Sequence, residues 1–122
     1  MHWLAVAIGG AIGALCRYGV SIYLPASADK FPYATLLVNV FGSFAAGILY
    51  VVLVERVQLA EETRYLLMIG FLGAFTTFST FSLDALSLWQ NGDQMMALVY
   101  VLLTVALCLL AVTGAVWLTR LF

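Results

Sequence analysis

Residues 70–82, GFLGAFTTFSTFS, hold the groups in this chain best suited to handling an ion. Thr76, Thr77, Ser79 and Thr80 supply hydroxyls, which donate hydrogen bonds without carrying charge. Phe78 and Phe81 stand three residues apart and share a face wherever the backbone is helical. A phenyl ring has a negative face and a positive edge, so ring edges can touch an anion without trapping it. A small, hard anion accepts hydrogen bonds and cannot donate them. Passage requires binding strong enough to admit the ion and weak enough to release it. Neutral donors meet that requirement better than a buried Arg or Lys.

The segment that carries these groups is a poor piece of membrane helix. Gly70 and Gly73 lower helix propensity, and the Thr and Ser side chains can bond nearby carbonyls in competition with the regular ladder. In lipid, irregular backbone is tolerated only where it is buried in protein or lines a cavity. Two readings follow. One is a pathway or ion site at a break in the helix. The other is a tight helix crossing, with Gly for close approach and Ser/Thr as interhelical glue.

The chain around it is made for a membrane. Of 122 residues 65% are hydrophobic and 9% charged, whereas soluble domains average roughly 25% charged. The net charge of −1 comes with no basic run, which gives no footing for nucleic acid. Four stretches are long enough to span a bilayer: about 3–24, 34–54, 65–88 and 95–119. Residues 3–24 lack a basic leader, and Gly and Arg interrupt them, so they count as a first span and not as a signal peptide. The connections 25–33, 55–63 and 89–94 are short, which makes successive helices antiparallel neighbours. Residues 1–122 thus form a single four-helix unit with both termini on one side. Arg56, Arg64 and Arg120 fall on that side and Lys30 on the other, a slight lean towards termini inside. So small a bias is compatible with insertion both ways round.

Small residues recur at helical spacing: Gly9 and Gly13, Gly10 and Ala14, Ser43 and Gly47. Such rows let backbones approach in lipid and point to dense helix contacts, including those of an oligomer. Cys16 and Cys108 fall inside spans as small apolar groups, and with only His2 elsewhere they make no ligand cluster.

Only two ionisable residues sit well inside spans, and each is a candidate functional site. Arg17 lies about 21 Å into the first span at helical rise, and Asp84 lies near the end of the third. Both fall towards the face of Lys30. They form either a structural ion pair, with Arg17 free to snorkel, or a cationic mouth that concentrates anions. Asn39 in the second span either glues helices or lines a pore. Tyr100, Thr104 and Cys108 follow at i, i+4, i+8 and place a phenol, a hydroxyl and a thiol on one helix face. No carboxylate occupies mid-depth, which argues against a proton-coupled cation exporter. No nucleophile–base pair, phosphate loop or metal cluster suggests an enzyme.

Three stretches, GGAIGALCRYG (9–19), YATLLVNVFGSFAAG (33–47) and GAFTTFSTFS (73–82), together resemble the Fluc (CrcB) fluoride channels. They cover the first three spans in order, and TTFSTFS is a specific signature. The resemblance implies an all-α membrane protein with four transmembrane helices per subunit and a broken third helix. It implies an antiparallel, dual-topology homodimer with two fluoride pores, embedded in the cytoplasmic (inner) membrane. It implies a structural Na+ at the dimer centre, held by the backbone carbonyls of Gly73 and Thr76. Two carbonyls coordinate a cation poorly, and a twofold axis doubles them. By the same resemblance Phe78, Phe81 and Asn39 line the pore. Ser79, Ser82, Thr35, Tyr100 and Thr104 form its hydroxyl track, and Arg17 stands at the vestibule. Cys108 takes a place where a serine is expected, and a thiol is the weaker donor. The implied activity is passive, fluoride-selective export, with itself, fluoride and the bilayer as partners. Two rivals are a small multidrug-type proton-coupled transporter, which needs a carboxylate where this chain has Arg17, and a non-transporting packing subunit.

Overall fold

The computed structural model describes residues 2–25, 30–56 and 59–122; parts of the connections expected at 25–33 and 55–63 lie outside them. Helix α1 runs His2–Tyr23 and α2 runs Tyr33–Arg56, with the turns Tyr50–Arg56 widened to π-helical geometry. The third membrane segment, Glu61–Gln90, is two helices and not one. Its first half, α3, covers 61–75 and is π-helical over Tyr65–Leu72; its second half, α4, covers Phe78–Gln90. Helix α5 is Gln94–Leu121. The described residues contain no strand, and the four segments are long and apolar enough to cross a membrane.

Local sequence sets the joints. Thr77 is extended (φ −152°, ψ 118°), and its hydroxyl accepts from the Thr80 N–H at 3.1 Å, so it starts α4 as a side-chain cap. At the far end Gly92 takes φ 89°, a left-handed conformation that glycine adopts without a Cβ penalty. There the Gly92 N–H reaches the Trp89 carbonyl at 3.3 Å, and the Asp93 N–H reaches Leu88 at 3.0 Å. That paired closure ends α4 and turns the chain directly into α5.

Two helix pairs make the body, α1 with α3 and α2 with α5, and α4 lies against α5. A side chain at Gly9 or Gly13 would collide with the α3 backbone between Leu66 and Phe71. A Cβ at Gly70 would sit 2.8 Å from the Val6 carbonyl, and one at Gly47 would sit 2.7 Å from that of Val112. Of the small-residue rows, Gly9, Gly13 and Gly47 therefore serve contacts within the subunit. This close backbone approach substitutes for the hydrophobic drive that lipid does not supply. A cluster of Leu36, Phe81, Leu88, Ala97 and Tyr100 fills the space between α2, α4 and α5.

One end of the bundle gathers both termini. Arg120 donates to both oxygens of Glu55 at 2.9 Å, and Arg56 donates to the Thr119 carbonyl at 2.6 Å. His2 lies 3.7 Å from Glu61 and stacks on Tyr65. Most other large apolar side chains point outward, among them Leu15, Phe41, Leu83 and Leu110. An outer surface of that kind suits lipid or another subunit.

Candidate ion pathway

The break lies at Thr76 and Thr77, both extended between two helices. Its hydrogen bonds can be followed one at a time, because every buried backbone group needs a partner. In an unbroken helix the Thr77 N–H would close on the Gly73 carbonyl. It donates instead to Oδ1 of Asn39 at 2.8 Å, while Nδ2 of Asn39 donates to the Thr77 carbonyl at 3.0 Å. The Thr80 N–H would close on Thr76 and is taken by the Thr77 hydroxyl. The Ala74 carbonyl accepts from Nε of Arg17 at 2.9 Å. Upstream, both the N–H and the hydroxyl of Thr76 bond the Leu72 carbonyl, the local competition expected of Thr in this segment. Gly42 of α2 lets the two segments meet, since a Cβ there would run into the Thr76 methyl.

Two clefts flank the break, and Thr77 lines both. One, of about 330 Å³, is bounded by Arg17, Tyr18 and Ser21 of α1, Thr35 and Val38 of α2, and Thr80. The other, of about 320 Å³, is bounded by Asn39, Ser43, Thr76, Phe78, Phe81, Thr104 and Cys108. The second cleft holds no charged side chain. The hydroxyl of Thr104 is buried there without a hydrogen-bond partner, the exception that calls for an explanation in a folded protein.

The expected site residues separate. Phe78 and Phe81 have ring centroids 5.5 Å apart, yet Phe81 is buried against Tyr100 and Phe78 is 77% exposed. Thr104 and Cys108 line the second cleft as their spacing suggests, but Tyr100 turns away. Its hydroxyl donates to Asp84 at 3.2 Å. The Ser79 hydroxyl sits 3.3 Å from that of Thr77, and the exposed Ser82 bonds the Phe78 carbonyl; neither lines the two clefts. The ion pair considered for Arg17 and Asp84 is not formed, because Arg17 is drawn to the broken backbone and Asp84 to Tyr100. Sequence reasoning passed over Gly42, and took Ser43 only for a packing position. A signal was there: Thr35, Asn39 and Gly42 fall at i, i+4, i+7, one face of α2.

A cation would find few side-chain ligands here. The described residues contain no cluster of three His, Cys, Asp or Glu. The oxygens on offer are backbone carbonyls at the break, and the N–H groups that would otherwise occupy those of Gly73 and Thr76 are bonded elsewhere.

The family model described as CrcB-like protein, Camphor Resistance (CrcB), matches residues 4–116. A protein of Saccharophagus degradans named fluoride-specific ion channel FluC is 58% identical over 97% of this chain and 89% of its own length. A protein of the same name from Hahella chejuensis is 49% identical over 98% of this chain and 95% of its own. One from a Chelativorans strain is 48% identical over 98% and 96%. A match of this extent, across all four membrane segments and through the broken third one, makes the chain a member of the CrcB family.

Proposed function

We propose that this chain is the subunit of a passive, fluoride-specific channel of the cell's inner membrane, releasing fluoride that accumulates in the cytoplasm. The name that the relatives share, fluoride-specific ion channel, supports the substrate. The observation that carries the mechanism is the unpartnered Thr104 hydroxyl, buried in an uncharged cleft beside the rings of Phe78 and Phe81. An anion shedding its water there meets an O–H donor and ring edges and no fixed positive charge that would hold it. Arg17, in the neighbouring cleft, raises the local anion concentration at the approach. Thr35 adds a hydroxyl to the cleft of Arg17, whereas Tyr100, bonded to Asp84, and Ser79 and Ser82 of α4 stand outside both clefts of the single subunit. Chloride, larger than fluoride, fits a narrow set of fixed donors less well.

The working unit in this proposal is an antiparallel homodimer of dual topology, with a sodium ion at its centre. Gly73 is exposed, and beyond Met68 no atom crowds the place of its missing side chain, so a second copy can approach its backbone. The Gly73 and Thr76 carbonyls fit a sodium ion in kind, as hard oxygen donors whose helical partners are diverted. When bound, the ion supplies a charge that ties the two breaks together. Reconstitution of the purified protein in liposomes tests the function, with fluoride and chloride efflux read by ion-selective electrodes. Fluoride release far faster than chloride is expected; equal rates would overturn the proposal.

A further inference from the structure

The hydrogen bonds at the break decide which carbonyls are left for a cation. Ala74 and Thr77 are each bonded by a side chain from another helix, Arg17 of α1 and Asn39 of α2. The carbonyls of Gly73 and Thr76 lose their helical donors, Thr77 N–H and Thr80 N–H, to Asn39 and to the Thr77 hydroxyl. We infer that Arg17 is a positioning residue of the broken segment: its Nε–H withdraws the Ala74 carbonyl and so presents those of Gly73 and Thr76. This rests on the sodium proposal but separates from it.

The guanidinium is half-buried and bonds this carbonyl through Nε, the atom nearest its aliphatic stem. A charge that served only to gather anions would need no such bond, because long-range attraction does not depend on hydrogen-bond geometry. Arg17 also bridges α1 to the last turn of α3, next to the contact that Gly13 makes with Phe71. Helix α1 is thereby registered on the break, and its tilt is fixed relative to the exposed Gly73. All of this lies within one subunit.

Three substitutions separate geometry from charge. Arg17→Gln keeps an N–H donor at the same place along the side chain as Nε and removes the charge. Arg17→Lys keeps the charge and moves the donor one bond further out. Arg17→Met removes both and keeps the stem. Each full-length protein is titrated in detergent with sodium against a large organic cation, reading thermal stability, and amide hydrogen exchange of residues 73–80 is measured without sodium. Arg17→Gln should respond to sodium within about twofold of the parent, whereas Arg17→Met should need roughly tenfold more, the scale of one charge-assisted hydrogen bond. Exchange across 73–80 should rise for Arg17→Met and not for Arg17→Gln. If Arg17→Gln follows Arg17→Met in both readouts, or Arg17→Met follows the parent, the positioning role is overturned. A parent protein indifferent to sodium would end the sodium proposal alone, because hydrogen exchange still ranks the variants.

Discussion

Asn39 holds Thr77 by both ends of its amide: Oδ1 takes the backbone N–H at 2.8 Å and Nδ2 gives to the backbone carbonyl at 3.0 Å. The pair lies thirty-eight residues apart in sequence and is buried. Asn39 thus does for Thr77 what a neighbouring strand does in a sheet, satisfying an extended residue where lipid offers no water. The break in the third segment is built into a single subunit.

Asn39→Leu should therefore destabilise the subunit more than an ordinary loss of one hydrogen bond. It strands a buried donor and a buried acceptor at once, for a cost of about 3 kcal/mol. Asn39→Asp keeps an acceptor for the Thr77 N–H but, when ionised, sets a buried charge against the Thr77 carbonyl, so above the carboxylate range it should be no more stable than Asn39→Leu. Chemical unfolding in detergent measures both. Equal stability of Asn39→Leu and the parent would mean that the segment can close into a helix without its clamp.

Thr104→Val separates function from stability by sign. The hydroxyl is buried and bonds nothing within the subunit, so its desolvation is not offset there. Replacing it with a methyl group of similar shape should raise stability by about 1 kcal/mol. The same change removes a donor that an anion in the cleft would use, so fluoride efflux should fall by about tenfold. Calorimetry and liposome flux on the same preparation check the pair of outcomes. A variant both less stable and fully conducting would contradict the assigned role.

How much of this was written in the sequence can be judged residue by residue. The weakness of 70–82 is local, in Gly70, Gly73 and a run of Thr and Ser, and the break falls inside it. The close approach at Gly9 and Gly13 is likewise a matter of spacing. What spacing cannot reach is the partner. Asn39 carries no mark that its amide belongs to Thr77, and Arg17 none that it belongs to Ala74 and not to Asp84. Those choices depend on the offset between helices, set by packing far along the chain. The shared face of Phe78 and Phe81 is legible, but their opposite exposure follows from α5, whose Tyr100 covers one ring alone. The π-helical turns in α2 and α3 have no local signature that we can name.

Gly13→Ala and Gly10→Ala should differ sharply although they lie on one helix. An alanine at Gly13 would collide with the Phe71 backbone, which cannot yield without moving α3. Overpacking of this kind costs about 1–3 kcal/mol. At Gly10 the nearest atom to a new Cβ is the Gly70 carbonyl oxygen at 3.8 Å, an ordinary contact. Gly10→Ala should therefore be neutral or slightly stabilising, since alanine is the better helix former by about 1 kcal/mol. Thermal unfolding of the two variants in one detergent decides whether α1 and α3 are as tightly joined as described.

Phe81 and Phe78 should respond differently to the loss of a ring. Phe81 is buried between Phe78 and Tyr100, with centroids at 5.5 and 5.2 Å, and its ring borders the uncharged cleft. Phe81→Ile keeps apolar bulk and removes the positive ring edge, so fluoride flux should be lost while the protein stays folded and its association state is unchanged. Phe78 is mostly exposed in the single subunit, so Phe78→Ile should alter stability little. Its effect on flux then depends on what a second copy places against it. Gel filtration and fluoride efflux on both variants make the comparison. Normal conduction by Phe81→Ile would show that ring edges do not serve the ion here, leaving the hydroxyls of the cleft to carry it.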